Sequence, residues 1–144
     1  FRDCKSGIFF SPYSINARDI SEFLADESHD VNTLAVWLND KCGISNSLLE
    51  ERITLRTAAS IVVTRSFQLA AATYIGVLQH IDPQLERKHT IAIDGSLYEF
   101  TPGYARKLNI TFKNILKNKA DLVSTKLTKD GSGIGAAIAA ARAE

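Results

Sequence analysis

Apolar residues recur at helical spacing through the first half of the chain and gather into short runs in the second. Val31, Leu34, Ala35 and Leu38 mark an amphipathic helix, predicted to end near Lys41-Cys42-Gly43 with Gly43 as its C-cap. Before it, Ile20 to Ala25 predicts a short helix, and residues 1–15, with Gly7, Pro12 and several aromatics, read as irregular. Asn46 or Ser47 can cap a long helix carrying Leu48, Leu49, Ile53, Leu55, Ala58, Ala59, Ile61, Val62 and Val63. That helix is expected to run to about Gln79 unless it breaks near Thr64. Its second half is apolar and small almost all round, which predicts burial between other elements. Asp82-Pro83 ends it, and Glu86-Arg87-Lys88 reads as a solvated turn.

The pattern then changes. Ile91-Ala92-Ile93 is an apolar run suited to a buried strand, and it ends in Asp94-Gly95-Ser96 before Leu97-Tyr98 turns apolar again. In open α/β sheets, ligands sit beyond the carboxyl ends of strands. Glycine lets a backbone approach a ligand closely, and serine offers a hydroxyl and an N–H to a phosphate. The same string also reads as an ordinary hairpin turn. A return segment through Phe100 follows, and Pro102 starts a helix bearing Tyr104, Leu108, Phe112, Ile115 and Leu116 on a helical period. Leu122 to Leu127 is a second strand candidate. Asp130-Gly131-Ser132-Gly133-Ile134-Gly135 then feeds an alanine-rich terminal helix from Ala136 to Ala143. A glycine-rich turn at a helix N-terminus exposes unpaired N–H groups and the positive end of the helix dipole. Its plainer reading is a helix capped by Asp130 or Ser132. It is not a Walker loop, because no Lys-Ser/Thr pair follows. Helix, strand, helix, strand, helix predicts an α/β layer with parallel pairing through helical crossovers.

Composition narrows the partners. A chain of 144 residues with 45% hydrophobic content implies one domain with its own core. Seventeen basic against sixteen acidic residues give no reason to expect nucleic acid or a membrane surface as partner. The unbroken apolar runs fall short of a membrane span, and no signal peptide is visible. The chain starts at Phe1 and contains no Met, so it reads as a piece of a longer polypeptide. Cys4 and Cys42 could form a bridge only if distant parts met. Reduced thiols of an intracellular, cytoplasmic protein are the expectation. The cysteines and His29, His80 and His89 show no metal-ligand spacing. Trp37 is assigned to packing, His89 to a strand edge, Glu50 and Glu51 to a solvated face, and Lys117 and Lys119 to a helix end. No residue presents itself as a catalytic base.

The string from His89 to Tyr104 resembles the adenosine motif of the eukaryotic hexokinase family: an apolar strand, Asp-Gly-Ser/Thr, an apolar residue, Tyr, then Pro and an aromatic. Asp130 to Ala137 resembles the acid-Gly-Ser-Gly-x-Gly-Ala-Ala turn that the family carries about thirty residues later. Arg65-Ser66-Phe67-Gln68-Leu69, followed by Ala70, Ala71 and Ala72, looks like the family's Arg-x-x-x-Leu helix, and Ile20 to Leu24 like the short helix after its nucleotide loop. Gly7-Ile8-Phe9 is similar to a nucleotide-contacting loop ending in Gly-apolar-Phe, with Lys5 standing where animal members often have Thr.

The resemblance implies the carboxy-terminal part of the large domain of a hexokinase of fungal or other lower-eukaryotic kind, spanning residues 1–144. The implied fold is part of an actin-like ATPase (ribonuclease H-like) domain, with helices packed on a small mixed sheet. The implied reaction is phosphoryl transfer from MgATP to the 6-hydroxyl of a hexose such as glucose. Sugar-binding and catalytic residues are implied upstream, leaving this piece the nucleotide's grip, with no catalytic residue of its own. By the same resemblance Gly95 and Ser96 contact the phosphates, Asp94 orients the turn and Leu97 packs beside it. Asp130 and Gly131 lie near the adenine, Gly7 touches the nucleotide, and Mg²⁺ is held mainly by the nucleotide and upstream residues. Partners would be ATP or ADP, the hexose and the rest of the polypeptide. An N-acetylglucosamine kinase on the same scaffold, or a catalytically silent regulator or sugar sensor, remains open.

Overall fold

The computed structural model describes residues 11–142, which form two compact units divided between Arg65 and Ser66. In the first unit lie helix α1 (Ala17–Ala25), helix α2 (Asn32–Cys42) and the first half of helix α3 (Leu49–Ile81). α1 starts where sequence dictates a reciprocal cap: the Asn16 side chain accepts from the Arg18 and Asp19 N–H groups, and the Asp19 carboxylate accepts from the Asn16 N–H. α2 ends at Gly43, whose φ of 69° lets its N–H reach the Asn39 carbonyl while the Ile44 N–H reaches Leu38. Phe23, Val31, Leu34, Trp37, Leu38, Cys42 and Ala59 form the apolar core. Trp37 meets Phe23 edge-on at 5.2 Å, and its indole N–H donates to Asp19 Oδ1 at 3.1 Å. Packing is therefore its role, as expected.

Asp26 closes the loop between α1 and α2. Its carboxylate accepts from the Ser28 hydroxyl, the Ser28 N–H at 2.9 Å and the Thr33 N–H at 2.7 Å. The Ser28 hydroxyl bond, with these N–H bonds behind it, outweighs burial and lowers its pKa from 3.8 to about 2.

α3 runs without a break through Thr64 and ends at Ile81, close to the expected Gln79. It begins after Leu48 rather than after a polar cap at Asn46 or Ser47, and the Glu51 carboxylate accepts the Leu48 N–H at 2.9 Å. In the second unit its buried stripe is Phe67, Ala71, Ile75 and Leu78. Leu69, Val77 and Ile81 are exposed among the described residues, so burial all round does not hold here. The reason is geometric: one helical stripe faces the available neighbours, and apolar character elsewhere on the rod has none in this unit. By length and composition α3 would also suffice to cross a membrane, which unbroken apolar runs alone had failed to signal.

The second unit continues with strand β1 (His89–Ile93), helix α4 (Ser96–Phe100), helix α5 (Tyr104–Leu116), a 3₁₀ turn over Lys117–Leu122, strand β2 (Val123–Leu127) and helix α6 (Gly131–Arg142). β1 and β2 pair in parallel with His89 opposite Val123 and Ile93 opposite Leu127. Among the described residues the sheet has two parallel strands and is not mixed. Residues 96–100, expected as a return segment, form a helical turn in which the Gly95 carbonyl accepts the Glu99 N–H at 3.2 Å. A hairpin is thereby excluded. α5 starts at Tyr104, two residues after Pro102, since Gly103 takes φ 69° and precedes the helix. Tyr104, Leu108 and Phe112 bury one face of α5, with Phe67 edge-on to Tyr104 and Tyr74 beside Phe112.

Asp82 joins the end of α3 to β1. Its buried carboxylate accepts from the Glu86 and Arg87 N–H groups and from His89 Nε2 at 2.9 Å. The His89 bond leads, and with the two N–H bonds it overcomes burial to lower the Asp82 pKa from 3.8 to about 2. An ionised carboxylate only accepts, so Nε2 carries the proton. His89 is a structural partner and not a base facing solvent.

Candidate functional site

Parallel pairing decides where the chemistry can be. Both strands deliver their carboxyl ends to the same edge, and the segments that follow must leave side by side. The ladder continues one step further, with the Thr128 N–H donating to the Ile93 carbonyl at 2.9 Å. The two glycine bends, 94–97 and 130–133, therefore emerge together, though they are far apart in sequence.

They are joined directly. Asp94 Oδ2 accepts the Gly131 N–H at 2.8 Å, so the acid after the first strand closes over the N-terminus of the helix after the second. A second tie runs from Lys129 to Glu99 at 2.8 Å. That hydrogen bond and its charge raise the Lys129 pKa. Sequence reading assigned no role to Lys129, Glu99 or Thr128; the signal was an acid and a base beside the two bends, too common to single out.

Each expected residue can now be placed. Gly95 is extended, with φ 164° and ψ 138°, and among the described residues no atom beyond its chain neighbours lies within 4 Å of where a Cβ would stand. Ser96 opens α4, is exposed, and its hydroxyl has no hydrogen-bond partner among the described residues. The N–H groups of the first helical turn have no acceptor within the helix. Leu97 is half-buried beside the turn. Asp130, with φ 55°, immediately precedes α6, and its carbonyl accepts the Ile134 N–H at 3.0 Å. An added Cβ on Gly131 would meet Asp94 Oδ2 at 3.4 Å and Thr128 Oγ1 at 3.6 Å, ordinary contacts. On Gly133 it would crowd Asp130 Oδ1, the tip of a side chain. Gly7 lies outside the described residues, as do Lys5, the rest of that loop and Cys4. The structure thus ties Asp94, which leads into Gly95, Ser96 and Leu97, to Gly131, which follows Asp130.

Chemically, this edge offers an exposed hydroxyl, free first-turn N–H groups and an open space above a glycine. Those features suit an anionic oxygen approaching the backbone. No group of three His, Cys, Asp or Glu able to hold a metal occurs among the described residues.

A family model described as Hexokinase matches residues 1–142. The chain belongs to the hexokinase family. Among curated relatives, rice Hexokinase-5 is 36% identical over 138 residues, covering 90% of this chain and 27% of the relative. Rice Hexokinase-7 is 38% identical over 133 residues, with 90% and 29% covered. Rice "Hexokinase-4, chloroplastic" is 30% identical over 137 residues, with 90% and 27% covered. The chain thus spans under a third of the length of these hexokinases. They are plant proteins, and the expected fungal or lower-eukaryotic kind has no support from them.

Proposed function

We propose that this chain is the nucleotide-gripping, carboxy-terminal part of the large domain of an ATP-dependent hexokinase with an actin-like fold. The whole polypeptide transfers the γ-phosphoryl group of MgATP to the 6-hydroxyl of a hexose such as glucose. One observation carries the reading: the 2.8 Å bond from the Gly131 N–H to Asp94 Oδ2, which makes one edge of two bends that sequence places apart. Family membership supports the rest.

In this reading Ser96 and the first-turn N–H groups of α4 hold phosphate oxygens, and Gly95 leaves room for them. Asp94 fixes the second bend, so that Asp130 and Gly131 border the adenine, while Leu97 packs beside the first turn. Adenine needs a flat, mostly apolar slot with few polar groups, and the small residues at this edge fit that demand. Magnesium, when bound, neutralises the charge that develops on the phosphates. In this reading that ion is held mainly by the nucleotide and by upstream residues of the polypeptide. The base, the sugar site and the Gly7 loop's contact likewise belong to parts not described. We place the enzyme in the cytoplasm; cell fractionation with a plastid marker tests that against a chloroplast location.

A coupled assay of the full-length polypeptide against glucose and N-acetylglucosamine tests the function. ATP-dependent product with glucose is expected. Product with N-acetylglucosamine alone reassigns the substrate, and none with either sugar leaves a silent regulator or sensor. The isolated 144-residue chain is expected to transfer no phosphoryl group, which the same assay checks.

A further inference from the structure

Along β2, Val123, Thr125 and Leu127 are covered on one face while Ser124 and Lys126 are exposed. A threonine between two apolar residues on the covered face carries a hydroxyl that has to be paired. Tyr98 Oη–H donates to Thr125 Oγ1 at 2.9 Å, and Thr125 donates onward to Asn109 Oδ1 at 3.2 Å. Asn109 Nδ2 in turn donates to the Ala105 carbonyl at 3.0 Å within α5. The direction of this chain is forced. A carbonyl only accepts, so Ala105 takes the amide nitrogen and leaves the amide oxygen for Thr125. The threonine's single proton then goes to Asn109, and its lone pair receives Tyr98. The Tyr98 ring also meets Tyr104 edge-on at 6.4 Å.

α4 has five residues, too few to hold a helical turn by local bonds alone. We propose that Tyr98 and Thr125 are positioning residues for the nucleotide. The relay from Tyr98 to Ala105 pins α4 to β2 and α5, and so keeps the Gly95–Ser96 backbone and the Ser96 hydroxyl aimed at the phosphates. This inference rests on reading Gly95–Ser96 as a phosphate contact. Without the pin, the turn must be ordered at the moment of binding, which weakens nucleotide affinity more than turnover.

Kinetics of the full-length polypeptide with ATP and glucose test it. Thr125→Val keeps the shape and removes the relay, so KM for ATP is expected to rise about tenfold, one to two hydrogen bonds' worth. KM for glucose and kcat should stay within about twofold, since the pin bears on nucleotide ordering alone. Thr125→Ser retains the hydroxyl and should restore KM for ATP. Tyr98→Phe, a milder change, should raise it by about threefold to tenfold. Equal effects of Thr125→Val and Thr125→Ser, or parallel shifts in both KM values, would reduce these residues to packing and overturn the pin. Ser96→Ala separates the two levels. If it raises KM for ATP while Tyr98→Phe and Thr125→Val do not, the pin alone fails. If Ser96→Ala is itself silent, the phosphate reading fails and the pin with it.

Discussion

Gly95 and Gly133 stand in neighbouring bends for different reasons. At Gly95 the backbone is extended, a conformation any residue can adopt, and the space around the missing Cβ is empty. At Gly133 an added Cβ would crowd Asp130 Oδ1, whose side chain would have to turn away. The second bend is closed by one carboxylate of its own, Asp130 beside Gly133, and by Asp94 of the first bend, which accepts the Gly131 N–H. In the proposed reading, a glycine that folding does not demand, beside a Ser96 hydroxyl with no hydrogen-bond partner among the described residues, fits the bend that meets the phosphates. Gly133 is crowded only by the tip of the Asp130 side chain, in the bend where, in the same reading, Asp130 and Gly131 border the adenine.

Substitutions can break that contrast. The largest effect is expected for Ser96→Ala in the full-length polypeptide, a loss of about 1.5–3 kcal/mol in ATP use, the range for a hydrogen bond to a charged group. Steady-state kinetics at varied ATP would show it, and unchanged constants would remove Ser96 from the site. Asp94→Ala comes next. It strips the Gly131 N–H of its acceptor at an exposed position, so about 1 kcal/mol of stability should be lost, read as a lower urea midpoint. Glycine-to-alanine changes sharpen the comparison further. Gly135→Ala, inside α6 with open space around it, should stabilise by about 0.5–1 kcal/mol. Gly95→Ala should leave the urea midpoint nearly unchanged while raising KM for ATP. A midpoint that collapses would show that folding, not ligand, requires that glycine.

The smallest response is expected from pH between 8 and 5. Asp26 and Asp82 have folded pKa values lowered from 3.8 to about 2. A depressed carboxylate contributes stability that is fully present above its unfolded value and is lost as pH falls through the folded one. Urea midpoints should therefore be flat in the neutral range and drop only as pH falls from about 4 toward 2. Asp82→Asn should flatten part of that acid limb, because the Glu86 and Arg87 N–H groups and His89 lose their charged acceptor.

Much of this architecture was readable from local rules. The spacing of Leu34 and Leu38, the C-cap at Gly43 and the strand ending at Ile93 all follow from periodicity and turn chemistry. Both glycine bends were found because each interrupts an apolar pattern with an acid and a hydroxyl residue. Misreadings arose where distant residues decide. Residues 96–100 coil into α4, and nothing local distinguishes that outcome from an extended return. The burial of α3 was overestimated because composition counts apolar residues without saying how many faces have a neighbour. The relay through Thr125 was invisible, since a threonine in a strand is ordinary until Asn109 and Tyr98 arrive from elsewhere in the fold.

The empty space above Gly95 has an evolutionary corollary. Because the backbone there imposes no penalty on a side chain, a descendant released from catalysis could fill position 95 and still fold. If Gly95 meets the nucleotide as proposed, residue 95 would serve as a tell-tale: bare in lineages that still grip the nucleotide, and open to drift in those that kept the scaffold for another purpose.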